Sequence, residues 1–211
     1  MARPVLYVLA GVNGAGKSSI GGHLLTRAGL TWFNPDAFAR ELIDTTGCDQ
    51  ESASAHAWAE GVRRLDDAGA KGQSYAFETT LGGRTIAAKI QAAARTHDVI
   101  IWFCGLDSPE HHLRRVQARV SQGGHDIPEA KIRARYPQAL RNLIALMPHL
   151  AHLGVYDNST EAAIGRPIPD PRLVLELAAG RLVSPAADDR AALEQTPNWA
   201  KALVEAALAL D

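Results

Sequence analysis

The segment Gly11-Val12-Asn13-Gly14-Ala15-Gly16-Lys17-Ser18 constrains this chain more than any other. It has the form GxxxxGK[ST], follows a short apolar run over residues 5–10, and opens a helical pattern over residues 17–28. Ile20, Leu24 and Leu25 form the apolar face of that pattern. Glycines let a backbone curl until successive N–H groups point inward at phosphate oxygens. The helix that follows adds the partial positive charge of its N-terminus. Gly11, Asn13, Gly14, Ala15, Gly16, Lys17, Ser18 and Ser19 are therefore the expected ATP-binding residues. Lys17 would reach the β and γ phosphates, and the Ser18 hydroxyl would ligate Mg2+. A chance glycine-rich turn is the alternative, and four specified positions between a strand and a helix argue against it. The motif points to a nucleoside triphosphate with magnesium, and leaves open what is done with it.

The remaining pattern says how such a loop would be framed. Apolar runs at residues 5–10, 31–33, 74–77, 99–103 and 153–156 each end in a polar cluster. Helical patterns lie between them at residues 17–28, about 37–70, 83–96 and 109–147, the last with a break. Alternation of this kind predicts an α/β fold with a parallel five-stranded sheet between helical layers. Ligands of such sheets bind outside the carboxyl ends of the strands, so the five polar clusters converge on one edge. After Pro167, Pro169 and Pro171, a hairpin around Ala179-Gly180 and a last helix over residues 199–210 read as a small C-terminal appendage. The expected division is a main domain over residues 1–165, with a lid at about 109–141, and an appendage over 166–211.

Composition narrows the class. In 211 residues, 22 Lys and Arg against 23 Asp and Glu leave a net charge of −1, which argues against a general nucleic-acid binder. Cys48 and Cys104 lie far apart, as in a reduced cytosolic protein. The N-terminal apolar run is too short for a secretory signal, and no stretch approaches the length of a membrane span. A cytoplasmic location is expected. Trp32, Trp58, Trp102 and Trp199 read as core or rim aromatics, and Cys104 as a small buried hydrophobe. Adjacent His111 and His112 cannot share a helix face, and His149 with His152 lack a third ligand, so no transition-metal site is expected.

Three classes fit the loop: a small-molecule kinase, a hydrolysing motor or switch, and a nucleotide-binding regulator. A motor would carry a long apolar strand ending in Asp-Glu, and none is found. A kinase needs a carboxylate to take the acceptor's proton and a cationic cover over the phosphates. Asp36, in Asn34-Pro35-Asp36, can supply the first, or can simply cap the helix that follows. Glu78, in Phe77-Glu78-Thr79-Thr80, lies between apolar and hydroxylated residues, where an idle charge is costly. Arg115 and Arg119 share a helix face, Gly123-Gly124-His125 breaks the helix, and Arg133, Arg135 and Arg141 follow. That is the pattern of a phosphate-covering flap, or of an ordinary helical hairpin with a solvated basic face.

Taken together, residues 11–18, Phe33-Asn34-Pro35-Asp36, Phe77-Glu78-Thr79-Thr80-Leu81, Arg115-Val116, Arg119-Val120, Gly123-Gly124-His125-Asp126-Ile127-Pro128-Glu129, Arg135-Tyr136-Pro137 and Tyr156-Asp157-Asn158-Ser159 resemble the zeta toxin family. More closely, they are similar to its small chromosomal members. The match runs in order over about three quarters of the chain. The resemblance implies a three-layer P-loop kinase fold and transfer of the γ-phosphate of Mg-ATP to a hydroxyl of UDP-N-acetylglucosamine. It makes Asp36 the catalytic base, acting with Lys17 and with Arg115, Arg119 and Arg135 of the lid. Asp36, Glu78, Thr79, Thr80 and His125 would hold the acceptor, His125 standing where toxin members have a second arginine. A protein antitoxin is a partner that the resemblance brings with it, although no antitoxin-binding segment is evident. Another small acceptor (a nucleoside, cofactor or antibiotic) or a regulatory ATPase are the alternatives.

Overall fold

The computed structural model describes residues 2–17, 21, 25, 29–161 and 169–210. Expectations that fall on Ser18, Ser19, Ile20, Leu24 and Pro167 lie outside the described residues.

Six strands form one sheet: β1 (Val5–Ala10), β2 (Tyr75–Thr79), β3 (Asp98–Gly105), β4 (His152–Asp157), β5 (Arg172–Ala178) and β6 (Arg181–Ser184), in the order β2-β1-β3-β4-β5-β6. β1 to β4 run parallel, while β5 and β6 are antiparallel additions at the β4 side. The α/β class and the parallel core are as expected. The five-stranded parallel sheet is corrected in two places.

Residues 31–33 contribute only a single parallel bridge, Phe33 to Phe77. The next residue, Asn34, turns out of the sheet to cap a helix that begins with Pro35, and proline has no N–H to continue the ladder. The missing strand is offset at the other side, where the C-terminal hairpin joins the sheet. Its turn, Ala179-Gly180, has φ values of 51° and 75°, the two positive angles of the tight hairpin turn that matches strand twist. Leu175 and Leu177 of β5 are fully buried, so the segment read as an appendage shares the core of the rest.

Period-2 side chains place one face of the sheet against the main core. Leu6, Val8 and Ala10 align with Val99, Ile101 and Phe103, and these with Leu153 and Val155. Helices α1 (Pro35–Thr46), α2 (Gln50–Lys71), α3 (Arg84–Ala93), α4 (Pro109–Val120), α5 (Glu129–Leu146), α6 (Arg190–Glu194) and α7 (Lys201–Leu208), with short 3-10 turns at Met147–His149 and Asn198–Ala200, complete the described elements. Ile90, Ile132, Leu143, Leu146, Leu203 and Val204 from three of them pack on that face. On the other face, Gly21 lies against Leu9. The helical pattern expected over 37–70 is two helices. Gly47, at φ 69°, ends α1, and Asp49 caps α2 by accepting from the Ser52 N–H at 2.9 Å. Trp199 is buried, whereas Trp58 is 53 % exposed and belongs to neither core nor rim.

Candidate active site

The loop after β1 is a curl held by three left-handed glycines, with φ 141° at Gly11, 83° at Gly14 and 85° at Gly16. At Gly11 a Cβ would stand 2.2 Å from the Cys104 carbonyl oxygen, so the loop can leave β1 this close to β3 only without a side chain. The Ala15 N–H donates to the Val12 carbonyl at 3.1 Å, closing the turn. The ends of β3 and β4 are tied together beside it: Asn158 N–H donates to Gly105 O at 3.0 Å, and Asp107 N–H to Ser159 Oγ at 2.9 Å. Asn158 then donates from Nδ2 to the Ala15 carbonyl at 2.9 Å.

Lys17 and Glu78 are both buried, and their Nζ and Oε1 are 3.5 Å apart. Glu78 is thus not an idle charge. Its other oxygen accepts from Asn34 Nδ2 at 2.9 Å, while Asn34 Oδ1 accepts from the Ala37 N–H at 3.0 Å. One asparagine therefore caps α1 and ties it to the carboxylate that faces the loop lysine. The capping role considered for Asp36 belongs to Asn34, because the helix starts at Pro35 rather than Ala37. Asp36 stands in the first turn of α1, partly buried, where a negative charge is favourable. Among the described residues it makes no hydrogen bond or ion pair, and its charge acts on Arg135.

Two of the three arginines expected to cover the phosphates lie beside the same loop. Arg135 Nη1 donates to the side-chain oxygen of Asn13 at 2.7 Å, and Arg115 Nη2 to the carbonyl of Asn158 at 2.8 Å. Burial holds both guanidiniums below the usual arginine range, and at any ordinary pH they stay charged. Among the described residues Arg119 reaches only the His125 carbonyl, at 3.4 Å, and its buried Nε has no partner there. Among the described residues none of the three is ion-paired to a carboxylate. Arg133, by contrast, is taken by Glu110 and Glu129 on the surface, and Arg141 bonds Gln138. Gly123, at φ 88°, makes the break between α4 and α5.

Thr79 and Thr80 shape the turn after β2: their hydroxyl oxygens accept from the N–H groups of Leu81 at 3.1 Å and Gly82 at 3.4 Å. Both O–H groups remain able to donate. His125 is partly buried in the α4–α5 connection.

Two residues of the site were not singled out by sequence reasoning. Asn158 entered only as part of a motif. His112 was set aside as half of an adjacent pair, yet it is buried against the loop with Nδ1 2.8 Å from the Asn13 carbonyl. No spacing rule marks it, since its partner is 99 positions away. Cys104 is the buried hydrophobe expected, and burial pushes its thiol up to about 12.

Among curated proteins none matches this chain. Among solved structures, a complex of AvrRxo1-ORF1 and -ORF2 with ATP aligns with a TM-score of 0.65 at 17 % identity, covering 86 % of this chain and 60 % of that one. The chain thus spans about 60 % of that neighbour's length. A putative kinase from Chloroflexus aurantiacus aligns at 0.52 and 22 % identity over 64 % and 78 % of the two chains. The PezAT chromosomal toxin-antitoxin system of Streptococcus pneumoniae aligns at 0.55 and 16 % identity over 74 % and 69 %. Identities this low establish the P-loop kinase-like fold and nothing finer. Residues 6–137, which carry the phosphate loop, Asp36, Glu78 and the lid arginines, match a family described as AAA domain, and the chain belongs to that family.

Proposed function

We propose that this protein transfers the γ-phosphoryl group of Mg-ATP to a hydroxyl of a small molecule, with a nucleotide sugar such as UDP-N-acetylglucosamine as the first acceptor to test. One observation carries the reading. A glycine-curled anion loop, a buried lysine beside Glu78, and Arg135 on Asn13 with Arg115 on Asn158, neither ion-paired to a carboxylate among the described residues, stand together after β1, and the charge of Asp36 acts on Arg135. A hydrolysing switch needs no acceptor base, whereas phosphoryl transfer to an alcohol uses each of these parts. The zeta-like motifs support the same reading, as does the fold shared with a putative kinase and with a protein solved with ATP.

The residues present suit Mg-ATP. Loop N–H groups and Lys17 would hold its phosphates; the Mg2+ ligand inferred from the motif, Ser18, is outside the described residues. When bound, Mg-ATP supplies the phosphoryl group. Lys17 exchanges the Glu78 carboxylate for phosphate oxygens, so one buried cation keeps an anionic neighbour throughout. Glu78, held by Asn34, would hold acceptor hydroxyls together with Thr79, Thr80 and His125. Asp36 accepts the acceptor's proton at its carboxylate, held within α1 by the Asn34 cap. Arg115, Arg119 and Arg135 stabilise charge that builds on the transferred group, and the lid excludes water. A protein partner of the antitoxin kind is part of this proposal, supported by neighbours solved as two-protein assemblies.

ATP turnover measured with and without UDP-N-acetylglucosamine, followed by mass spectrometry, tests the reading. The expected product is a nucleotide sugar heavier by one phosphoryl group, made by the wild type and not by Lys17→Ala. Tight ATP binding with no such product would remove the nucleotide sugar and move the search to other alcohols.

A further inference from the structure

A backbone curled so that its N–H groups face a phosphate turns its carbonyls the other way, and buried carbonyls need donors. In this loop Val12 O is taken from within by Ala15, and Ala15 O by Asn158. The Asn13 carbonyl is taken by His112 Nδ1 at 2.8 Å. His112 belongs to α4 and is 1 % exposed. Its ring meets Tyr136 of α5 edge-on, with centroids 5.6 Å apart, and the Tyr136 hydroxyl is fixed in turn on the Leu106 and Asp107 carbonyls. A carbonyl can only accept, so Nδ1 must carry the hydrogen.

We propose that His112 is a positioning residue. It holds the Asn13 carbonyl outward, and so keeps the phosphate loop in its anion-binding curl. It sits three positions before Arg115 and seven before Arg119, so the helix that braces the loop also carries two of the lid arginines. The side-chain oxygen of Asn13 accepts from Arg135 of α5. One loop residue is therefore gripped from both helices of the lid, by its carbonyl and by its side chain. This role rests on the loop being the ATP site.

The two amide isosteres of histidine separate positioning from packing. The Asn side-chain N–H falls where Nδ1 was, and the Gln N–H falls where Nε2 was. Mg-ATP titrated calorimetrically into His112→Asn should bind within about threefold of wild type, and into His112→Gln about tenfold more weakly, at matched melting temperatures. Equal affinities in the two variants would overturn the role. So would parallel losses of affinity and melting temperature in both, which would mark His112 as packing only. A second measurement uses the unsubstituted protein: long-range 1H–15N spectra should show a neutral ring protonated at Nδ1. An Nε2-protonated ring would overturn the contact whatever the titrations gave. A wild type that binds no Mg-ATP would overturn the ATP reading and this role with it, while the spectra would still decide whether His112 holds Asn13.

Discussion

Lys17 and Glu78 show at the scale of single residues why a nucleotide site keeps a carboxylate close to its cation. Their side chains are 8 % and 7 % exposed, so either charge alone would be costly to leave in place. His112 is the neighbouring case in which neutrality is enforced. Burial, the largest influence, lowers its pKa from 6.5 to about 4 against the opposing hydrogen bond to Asn13. The unfolded chain binds a proton there near pH 6.5 that the folded chain refuses, so stability is at its full value above that pH. It should fall as the pH drops toward about 4, by up to about 1.4 kcal/mol per pH unit from this group. Urea denaturation between about pH 7 and about pH 5 checks this, with His112→Asn losing about one proton's worth of slope. Identical slopes in the two proteins would show that His112 titrates freely in the fold.

At the scale of elements, the path from β1 into the loop depends on Gly11. A side chain there would meet the β3 backbone at Cys104, and its φ of 141° lies outside what an L residue adopts readily. Gly11→Ala should therefore cost at least about 2 kcal/mol in denaturant unfolding and weaken Mg-ATP binding along with it. A variant as stable as wild type would mean that β1 and β3 can part at this point. The loop, the helix start at Asn34-Pro35-Asp36 and the α4–α5 break at Gly123 were all legible, because local chemistry writes them: glycines with positive φ, a capping side chain before proline, a glycine between two basic helices. Which residue capped α1 was not, since Asn and Asp satisfy the same rule and only the start at Pro35 decides for Asn34. The bridge at Phe33 and the six-stranded order were not legible either. A strand's edge partners are set by what else packs there, and nothing in residues 172–184 says that their hairpin continues the sheet. His112 and Asn158 were hidden for the same reason, as their loop partners are distant in sequence.

For the whole molecule, the C-terminal segment closes the sheet on the β4 side. Trp199 packs on Phe103 with ring centroids 6.4 Å apart, and donates from Nε1 to Asp157 Oδ1 at 3.2 Å. Removing residues 169–211 would bare the β4 edge and the core-facing Leu153 and Val155, and an uncovered edge with apolar flanks invites aggregation. The truncated chain should lose its cooperative thermal transition or elute as aggregate in size-exclusion chromatography. A soluble, cooperatively melting fragment would make the segment dispensable to the fold. Charge across the molecule is nearly balanced, at −1, so the positive charge gathered at Lys17, Arg115 and Arg135 is local and not a property of the surface as a whole. The most direct test is at Asp36, the carboxylate whose charge acts on Arg135: Asp36→Asn, with Mg-ATP affinity and acceptor-dependent ADP release measured on the same preparation. If Asp36 takes the acceptor's proton, affinity stays at the wild-type value and release falls by about 10²–10⁴-fold. Undiminished release at unchanged affinity would contradict phosphoryl transfer through Asp36.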